Sequence, residues 1–152
     1  MIVSMEAVSA ADRDGFLAMA ERLFRGLNPG FVPQADWTRS YFENTLGNSR
    51  LSLRWIVVDG NRAGFVLFGL EAHRFLPRFN GMIYELYIEP EFRRKGVAHI
   101  VAGEAIRELQ SKAPAKIQLE VMEGNRAAAA LWESLGFRKV SERFVLAEAK
   151  EQ

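Results

Sequence analysis

The sequence of 152 residues has no cysteine and only two histidines, His73 and His99. The first absence excludes disulfide staples, thiolate metal sites and a cysteine nucleophile. The second leaves too few imidazoles for a histidine-built metal centre, so no metal is expected. No apolar run approaches the ~18 residues that a membrane-spanning helix needs. The opening MIVSMEAVSAADRD carries acids where a secretory leader would be basic. A cytoplasmic location is therefore expected, without a membrane partner. Charge of one sign is missing as well: twenty Lys and Arg against nineteen Asp and Glu leave +1. That balance argues against a nucleic-acid partner.

What is present is an ordinary globular composition, 49% hydrophobic and 26% charged, enough for one self-sufficient domain over residues 1–152. Helical and extended patterns alternate with no repeat or low-complexity segment. Met1 to Val8 reads as a strand. Phe16, Leu17, Ala20, Leu23 and Phe24 recur at helical spacing within Ser9 to Arg25, with Ser9 and Asp12 as N-cap candidates. GLNPGFVP is a breaker cluster, and a second helix is expected from Asp36 to Leu46. Leu53 to Val58 and Ala63 to Leu70 read as a hairpin around Asp59-Gly60-Asn61. Met82 to Ile88 is the next strand. An amphipathic helix from Val97 to Ser111, a strand from Lys116 to Met122 and a helix from Asn125 to Leu135 follow, with Gly136 placed to end the last. Phe137 to Ala147 reads as two short strands or one bent one.

The informative stretch is YELYIEPEFRRKGVA, Tyr84 to Ala98. A strand ends at Ile88, the chain turns at Glu89-Pro90, and a helix opens after Gly96. Backbone N–H groups at a helix start lack partners, and the helix dipole adds positive potential, so such a place suits a phosphate. Gly96 permits close backbone approach, Ala98 keeps the first turn small, and Arg93, Arg94 and Lys95 add cationic weight. An ordinary basic turn before a surface helix would look the same from these residues alone. The P-loop spacing is absent.

At this stretch the sequence resembles the GNAT family of N-acetyltransferases. Arg93-x-x-Gly96-x-Ala98 is similar to the family's Q/R-x-x-G-x-G/A signature, and ELYIEPEF is similar to the strand and turn that lead into it. Asn125 to Phe137, NRAAAALWESLGF, resembles the family's N-x-x-A-x-x-L-Y-E-x-x-G-F block. Together the two motifs span about Met82 to Val140, in the family's order and spacing. The resemblance implies an α/β (α+β) fold, with a mixed, mostly antiparallel central sheet, a splayed strand pair and flanking helices.

It also implies acetyl-CoA as cosubstrate and an amine acceptor. The signature turn, Arg93 with the backbone of Arg94, Lys95, Gly96, Val97, Ala98 and His99, would grip the pyrophosphate. Leu86, Tyr87 and Ile88 would line the pantetheine arm, with one N–H polarising the thioester carbonyl. Asn125 and Trp132, in the second block, would also adjoin the cofactor. An alkylammonium must lose a proton before it attacks, which calls for a carboxylate. Glu85 lies on the strand where many relatives place their base. Glu120 lies where relatives that modify protein N-termini place theirs. Both glutamates occupy the polar phase of their strands, as solvated side chains also do.

One departure matters. Where relatives commonly carry a tyrosine that protonates the departing thiolate, this sequence has Trp132, whose indole is no proton-transfer acid at neutral pH. Tyr84 and Tyr87 are candidate substitutes. A thiol with a parent pKa near 8.5 also leaves tolerably without help. The lack of cysteine, and of a triad pattern around the two histidines, favours direct transfer in a ternary complex.

The acceptor side is expected in two loops. The first holds Asn28, Phe31, Trp37 and Tyr41; the second holds His73, Arg74, Phe75, Arg78 and Phe79. Aromatics with arginines suit an acceptor bearing a carboxylate or a peptide terminus, and equally a sheet cover or a homodimer interface. The leading expectation is an acetyltransferase acting on a primary amine of a small molecule or protein. A non-catalytic acyl-CoA-binding or sensing domain of the same fold, and an interaction module using only the fold, are the alternatives.

Overall fold

A computed structural model describes residues 1–147 of the chain. The order of elements is β1 (Val3–Ala7), a 3-10 turn (Ala10–Asp12), α1 (Arg13–Leu27), α2 (Ala35–Gly47), β2 (Leu51–Val58), β3 (Asn61–Ala72), β4 (Phe79–Ile88), a second 3-10 turn (Pro90–Phe92), α3 (Val97–Gln110), β5 (Ile117–Leu119) and α4 (Arg126–Ser134). The five strands form one sheet in sequential order. Neighbours run antiparallel through β4, and β5 then pairs parallel to β4. Antiparallel neighbours need only tight turns, such as that at Asp59-Gly60. The parallel step needs a crossover, which α3 supplies.

Side chains alternate across the sheet and build a core on each face. Val66, Phe68, Ile83 and Ile88 pack with Val97, Val101, Ala105 and Leu109 of α3 and Trp132 of α4. Trp55, Phe65, Leu67 and Tyr87 pack with Phe16 and Ala20 of α1 and Phe42 of α2. Ser9 and Asp12 close a capping box ahead of α1. The Asp12 carboxylate also accepts from the Trp55 indole at 3.1 Å and from Arg62 at 2.9 Å, tying that helix start to the sheet.

Two irregularities position the site. Between Leu67 and Phe68 the register jumps: Leu67 faces Glu85, but Phe68 faces Ile83, so Tyr84 is an extra residue on β4. Such a bulge leaves one residue unpaired and turns the strand. Further along, β3 presses hard on β4 at Gly64, where a Cβ would come within 1.9 Å of the Tyr87 carbonyl oxygen. Only glycine fits that approach.

The last strands differ from the sequence expectation. Lys116 to Met122 shortens to Ile117–Leu119, and no strand follows α4 among the described residues. The cause is the ladder. β4 pairs with β5 only from Gly81 to Ile83, so residues 120–122 have no neighbour, and Met122 is exposed. In the same way Val140, Phe144, Val145 and Leu146 stay exposed, and Arg143 reaches the β5 end through an ion pair to Glu120. The single domain expected over residues 1–152 includes 148–152, which lie outside the described residues.

Candidate active site

β4 carries the centre of the site. The Glu89 N–H donates to the Ala63 carbonyl at 2.7 Å. By the alternation of an antiparallel ladder, residues 85 and 87 also turn their backbone groups to β3, while Leu86 and Ile88 turn theirs to the opposite edge. β5 has already ended its pairing at Ile83, so that edge is open. The Ile88 carbonyl is taken by Nε of Arg93 at 2.8 Å. The N–H groups of Leu86 and Ile88 and the Leu86 carbonyl remain for a ligand. Tyr87 differs from these two neighbours, because its backbone faces Phe65 and its ring is buried under α1.

Glu85 projects from the face that holds Tyr87. It is half-buried there, and burial pushes its carboxyl up to about 7. Tyr41 of α2 is pushed up to about 12, by burial first and then by the charge of Glu85. A carboxylate near 7 is divided between its two protonation states at neutral pH, as a general base requires. Glu120 stands elsewhere. It follows the last residue of β5, is exposed, and is bound by Arg143 at 2.7 Å.

The signature turn follows β4. Arg94 and Gly96 both adopt the left-handed conformation, at φ 63° and φ 79°. A Cβ at Gly96 would meet nothing within 4 Å, so the glycine answers to backbone conformation and to open space. Gly96 is the N-cap of α3, and the first intrahelical bond runs from Ile100 N–H to its carbonyl at 3.2 Å. Val97, Ala98 and His99 therefore offer N–H groups with no helical partner. The first turn holds no acid, and Lys95 and His99 are exposed beside it. Val97 turns its side chain into the core, whereas Ala98 is half-buried. The donor set, the open edge and the missing acid together fit a phosphate-bearing thioester such as acetyl-CoA.

Other expected site residues hold structural posts. The Asn125 side chain caps α4, accepting from Ala128 N–H at 3.1 Å. Trp132 is buried, edge-on to Phe137 with ring centres 5.6 Å apart. Arg93, besides holding Ile88, lies with its guanidinium 5.6 Å from the Tyr87 ring centre. Arg22 of α1 bonds Glu89 at 3.0 Å, and burial first, then Glu89, pushes the Tyr87 hydroxyl up. This clasp joins α1 to the end of β4. Sixty-seven residues separate its partners, and no local pattern in the sequence signals it.

The two acceptor-side loops are separated. Phe31, Trp37 and Tyr41 line a cavity of about 270 Å³ between α1 and α2, beside Asp14 and Glu21. The Asn28 side chain instead closes its own turn by accepting from Gly30 N–H at 3.1 Å. The second loop lies at the start of β4. There His73 accepts from the Phe75 and Leu76 N–H groups at 3.0 Å, Arg74 covers Phe75, and Arg78 reaches the Ala113 carbonyl at 3.4 Å. Phe79 lies under Arg50, 4.8 Å from ring centre to guanidinium carbon. Among the described residues no group of three or more metal-ligating side chains occurs, and no helix is long and apolar enough to cross a membrane.

A mostly antiparallel sheet opened between two parallel strands, with a glycine-capped helix at the opening, defines an acyltransferase fold. The family model described as the acetyltransferase (GNAT) family matches residues 17–137. The chain belongs to that family of acyltransferase enzymes. It is 24% identical over 133 residues to an uncharacterized N-acetyltransferase of Methanocaldococcus jannaschii, covering 87% of this chain and 59% of that protein. Thus the chain spans under two thirds of that relative's length. It is 27% identical over 107 residues to the [ribosomal protein bS18]-alanine N-acetyltransferase of Salmonella typhimurium, covering 70% and 68%. Among solved structures it is similar to AAC(6')-Iy in complex with a bisubstrate analog, CoA-S-monomethyl-acetylneamine. The TM-score is 0.74 at 16% identity, over 99% of both chains.

Proposed function

We propose that the chain transfers the acetyl group of acetyl-CoA directly to a primary amine, with Glu85 as general base. The observation that carries this reading is the half-buried Glu85 carboxyl, raised to about 7, next in sequence to the open N–H groups of Leu86 and Ile88. The N–H groups from Arg94 to His99 hold the pyrophosphate, and Arg94 and Lys95 supply cationic charge. Arg93 shapes the turn by holding the Ile88 carbonyl. Leu86 and Ile88 flank the pantetheine arm with their backbone. The Tyr87 side chain supports the strand from behind.

Glu85 takes a proton from the acceptor ammonium, directly or through a water, and the freed amine nitrogen attacks the thioester carbonyl carbon. An N–H of the open β4 edge stabilises the carbonyl oxygen as it gains negative charge, a contribution of about 3–4 kcal/mol in other acyl-transfer enzymes. The carbon–sulfur bond breaks and the thiolate takes its proton from solvent, so no acid at position 132 is required. The amide nitrogen gives up its remaining extra proton to return to neutrality. Glu120, bound to Arg143 at the surface, takes no part. The reaction is cytoplasmic and needs no metal.

Thiol release under saturating acetyl-CoA, followed across pH with the parent chain and Glu85→Gln, tests the assignment. The parent rate should rise with pH through a limb centred near 7, because the ionised carboxylate is the active form. Glu85→Gln should lose ~10²- to 10⁴-fold and lack that limb, rising only toward the amine's own pKa. An unchanged limb would move the base elsewhere, with Glu120→Gln the next variant. Cofactor binding without thiol release from any amine would favour a sensing domain.

A further inference from the structure

The end of β4 is held differently from the rest of the sheet. Beyond Ile83 it has no pairing with β5, so residues 84–88 have a strand neighbour on the β3 side alone. A strand held along one edge needs a second anchor if its free edge is to keep its aim. Glu89, the residue after β4, supplies one, because each of its polar groups is tied to a different element. Its N–H donates to the Ala63 carbonyl of β3 at 2.7 Å, and its own carbonyl accepts from the Phe92 N–H at 2.9 Å, within the turn that leads to the phosphate cradle. Its carboxylate accepts from Nε of Arg22, on α1, at 3.0 Å.

This ion pair is lopsided in its burial. The Glu89 side chain is only 13% exposed, whereas that of Arg22 is 51% exposed. A pair so open to water on one side contributes little to stability, yet its geometry bears on the open edge. The peptide joining Ile88 to Glu89 is gripped at both ends, its carbonyl by Arg93 at 2.8 Å and its N–H by Ala63. In the peptide before it, the Tyr87 carbonyl oxygen lies against Gly64. Because a trans peptide is planar, the Ile88 N–H points the opposite way, into the open edge. Any tilt at residue 89 is therefore passed to that edge through two rigid planes.

We infer that Arg22 is a positioning residue of the transfer reaction. By holding the Glu89 carboxylate it fixes the end of β4, and with it the aim of the Leu86 and Ile88 N–H groups at the thioester carbonyl. This rests on the acetyl-transfer reading above and adds to it a residue that acts through Glu89 rather than on the reacting atoms.

The test separates aim from folding and from grip on the cofactor. Infrared difference spectra are taken of acetyl-CoA, labelled with carbon-13 at the thioester carbonyl, bound to the parent chain, to Arg22→Ala and to Arg25→Ala. Hydrogen bonds to a carbonyl oxygen lower its stretching frequency, so the parent complex should absorb below free acetyl-CoA. The band in Arg22→Ala should return at least halfway to the free position. Arg25→Ala, which removes an arginine paired within α1 to Glu21, should keep the parent band. Thiol release is followed with the fastest of benzylamine, spermidine and a short peptide beginning with alanine. In Arg22→Ala kcat should fall by ~10-fold or more, with KM for acetyl-CoA within ~3-fold. Glu89→Ala should match it, and the double variant should lose no more than either single one. An unmoved band and kcat in Arg22→Ala overturn the inference. So does a fall in kcat matched by an equal loss of acetyl-CoA affinity or of cooperative unfolding, since the pair would then be structural only. Both results leave acetyl transfer standing. A parent chain that neither shifts the band nor releases thiol with any of the three amines overturns the reaction reading itself.

Discussion

Ile83 and Glu85 stand two residues apart on β4 yet face opposite sides of the sheet, because Tyr84 between them is a bulge. In a regular strand they would share a face, and Glu85 would point into the apolar layer under α3. The extra residue turns it instead to the face that packs against α1 and α2, beside Leu67 and Tyr87. Deleting Tyr84 would therefore redirect the proposed base, whatever its effect on the fold.

Glu85 should cost the protein stability in proportion to its charge. Its folded pKa of about 7 lies above the ordinary 4.5, so the folded state binds the proton more tightly. Below pH 4.5 both states are protonated and no penalty exists. The penalty grows as pH rises from 4.5 to 7 and is constant beyond. At ~1.4 kcal/mol per pKa unit its upper limit is on the order of 3 kcal/mol. Glu85→Gln should melt several degrees above the parent at pH 8 and level with it at pH 4, by calorimetry. A gap independent of pH would mean that the carboxyl is not desolvated.

Gly96 should decide cofactor affinity with little effect on the fold. Its φ of 79° strains any L side chain, and the space around it is empty. In the parent chain, acetyl-CoA at a hundredfold excess over Kd adds about 2.7 kcal/mol, a melting rise of roughly 5–11 °C. Gly96→Val should abolish most of that rise while unfolding cooperatively on its own. An undiminished rise would remove the phosphate site from this turn.

Trp132 should matter to packing and not to turnover. Its ring is buried against Phe137, so Trp132→Phe should lower stability by about 1–2 kcal/mol, part of the ~3–5 kcal/mol of a Trp→Ala change. The kcat should stay within ~3-fold. A loss of ~100-fold with the acetyl-CoA melting rise intact would show that the indole serves the reaction.

Asp12 predicts acid sensitivity. Hydrogen bonds from the Ser9 N–H, then from Trp55 and Arg62, hold its carboxyl far below the ordinary carboxylate range. Its contribution is present above the unfolded value near 4 and is lost as pH falls through the folded one. Asp12→Asn keeps an acceptor for Trp55 and removes the charge. It should melt lower than the parent at pH 7, with the gap closing in strong acid. Parallel melting curves from pH 7 to pH 2 would contradict the charge role.

The order of elements from Met1 through Leu135 was legible because each segment's period matched its surroundings. The place of Gly96 was legible as well, since a glycine between a strand and a helix pattern marks a helix start, and it caps α3. Three features were not. The Tyr84 bulge was hidden because Tyr-Glu-Leu-Tyr-Ile alternates as a plain strand would. The Arg22–Glu89 clasp joins elements that only the folded chain brings together. The expected strand after Phe137 failed because apolar residues such as Val140 and Phe144 give a strand its taste for burial but cannot supply its hydrogen-bonding neighbour. The acceptor residues were half legible: their types were visible, but only the fold shows which aromatics keep company with which charges.

The gap between β4 and β5 has a consequence for solubility. An unpaired strand margin ordinarily invites other chains to add to it. Here the margin is internal: it is shut at one side by the Gly81–Ile83 pairing with β5 and at the other by Arg93 on the Ile88 carbonyl. It exposes about three residues of backbone, a notch too short and too confined to template a foreign β-strand. A single slender, unbranched arm can still enter. The sheet thus carries an unfinished seam that is choosy by shape before any side chain is consulted, and each occupant completes the ladder only for as long as it stays.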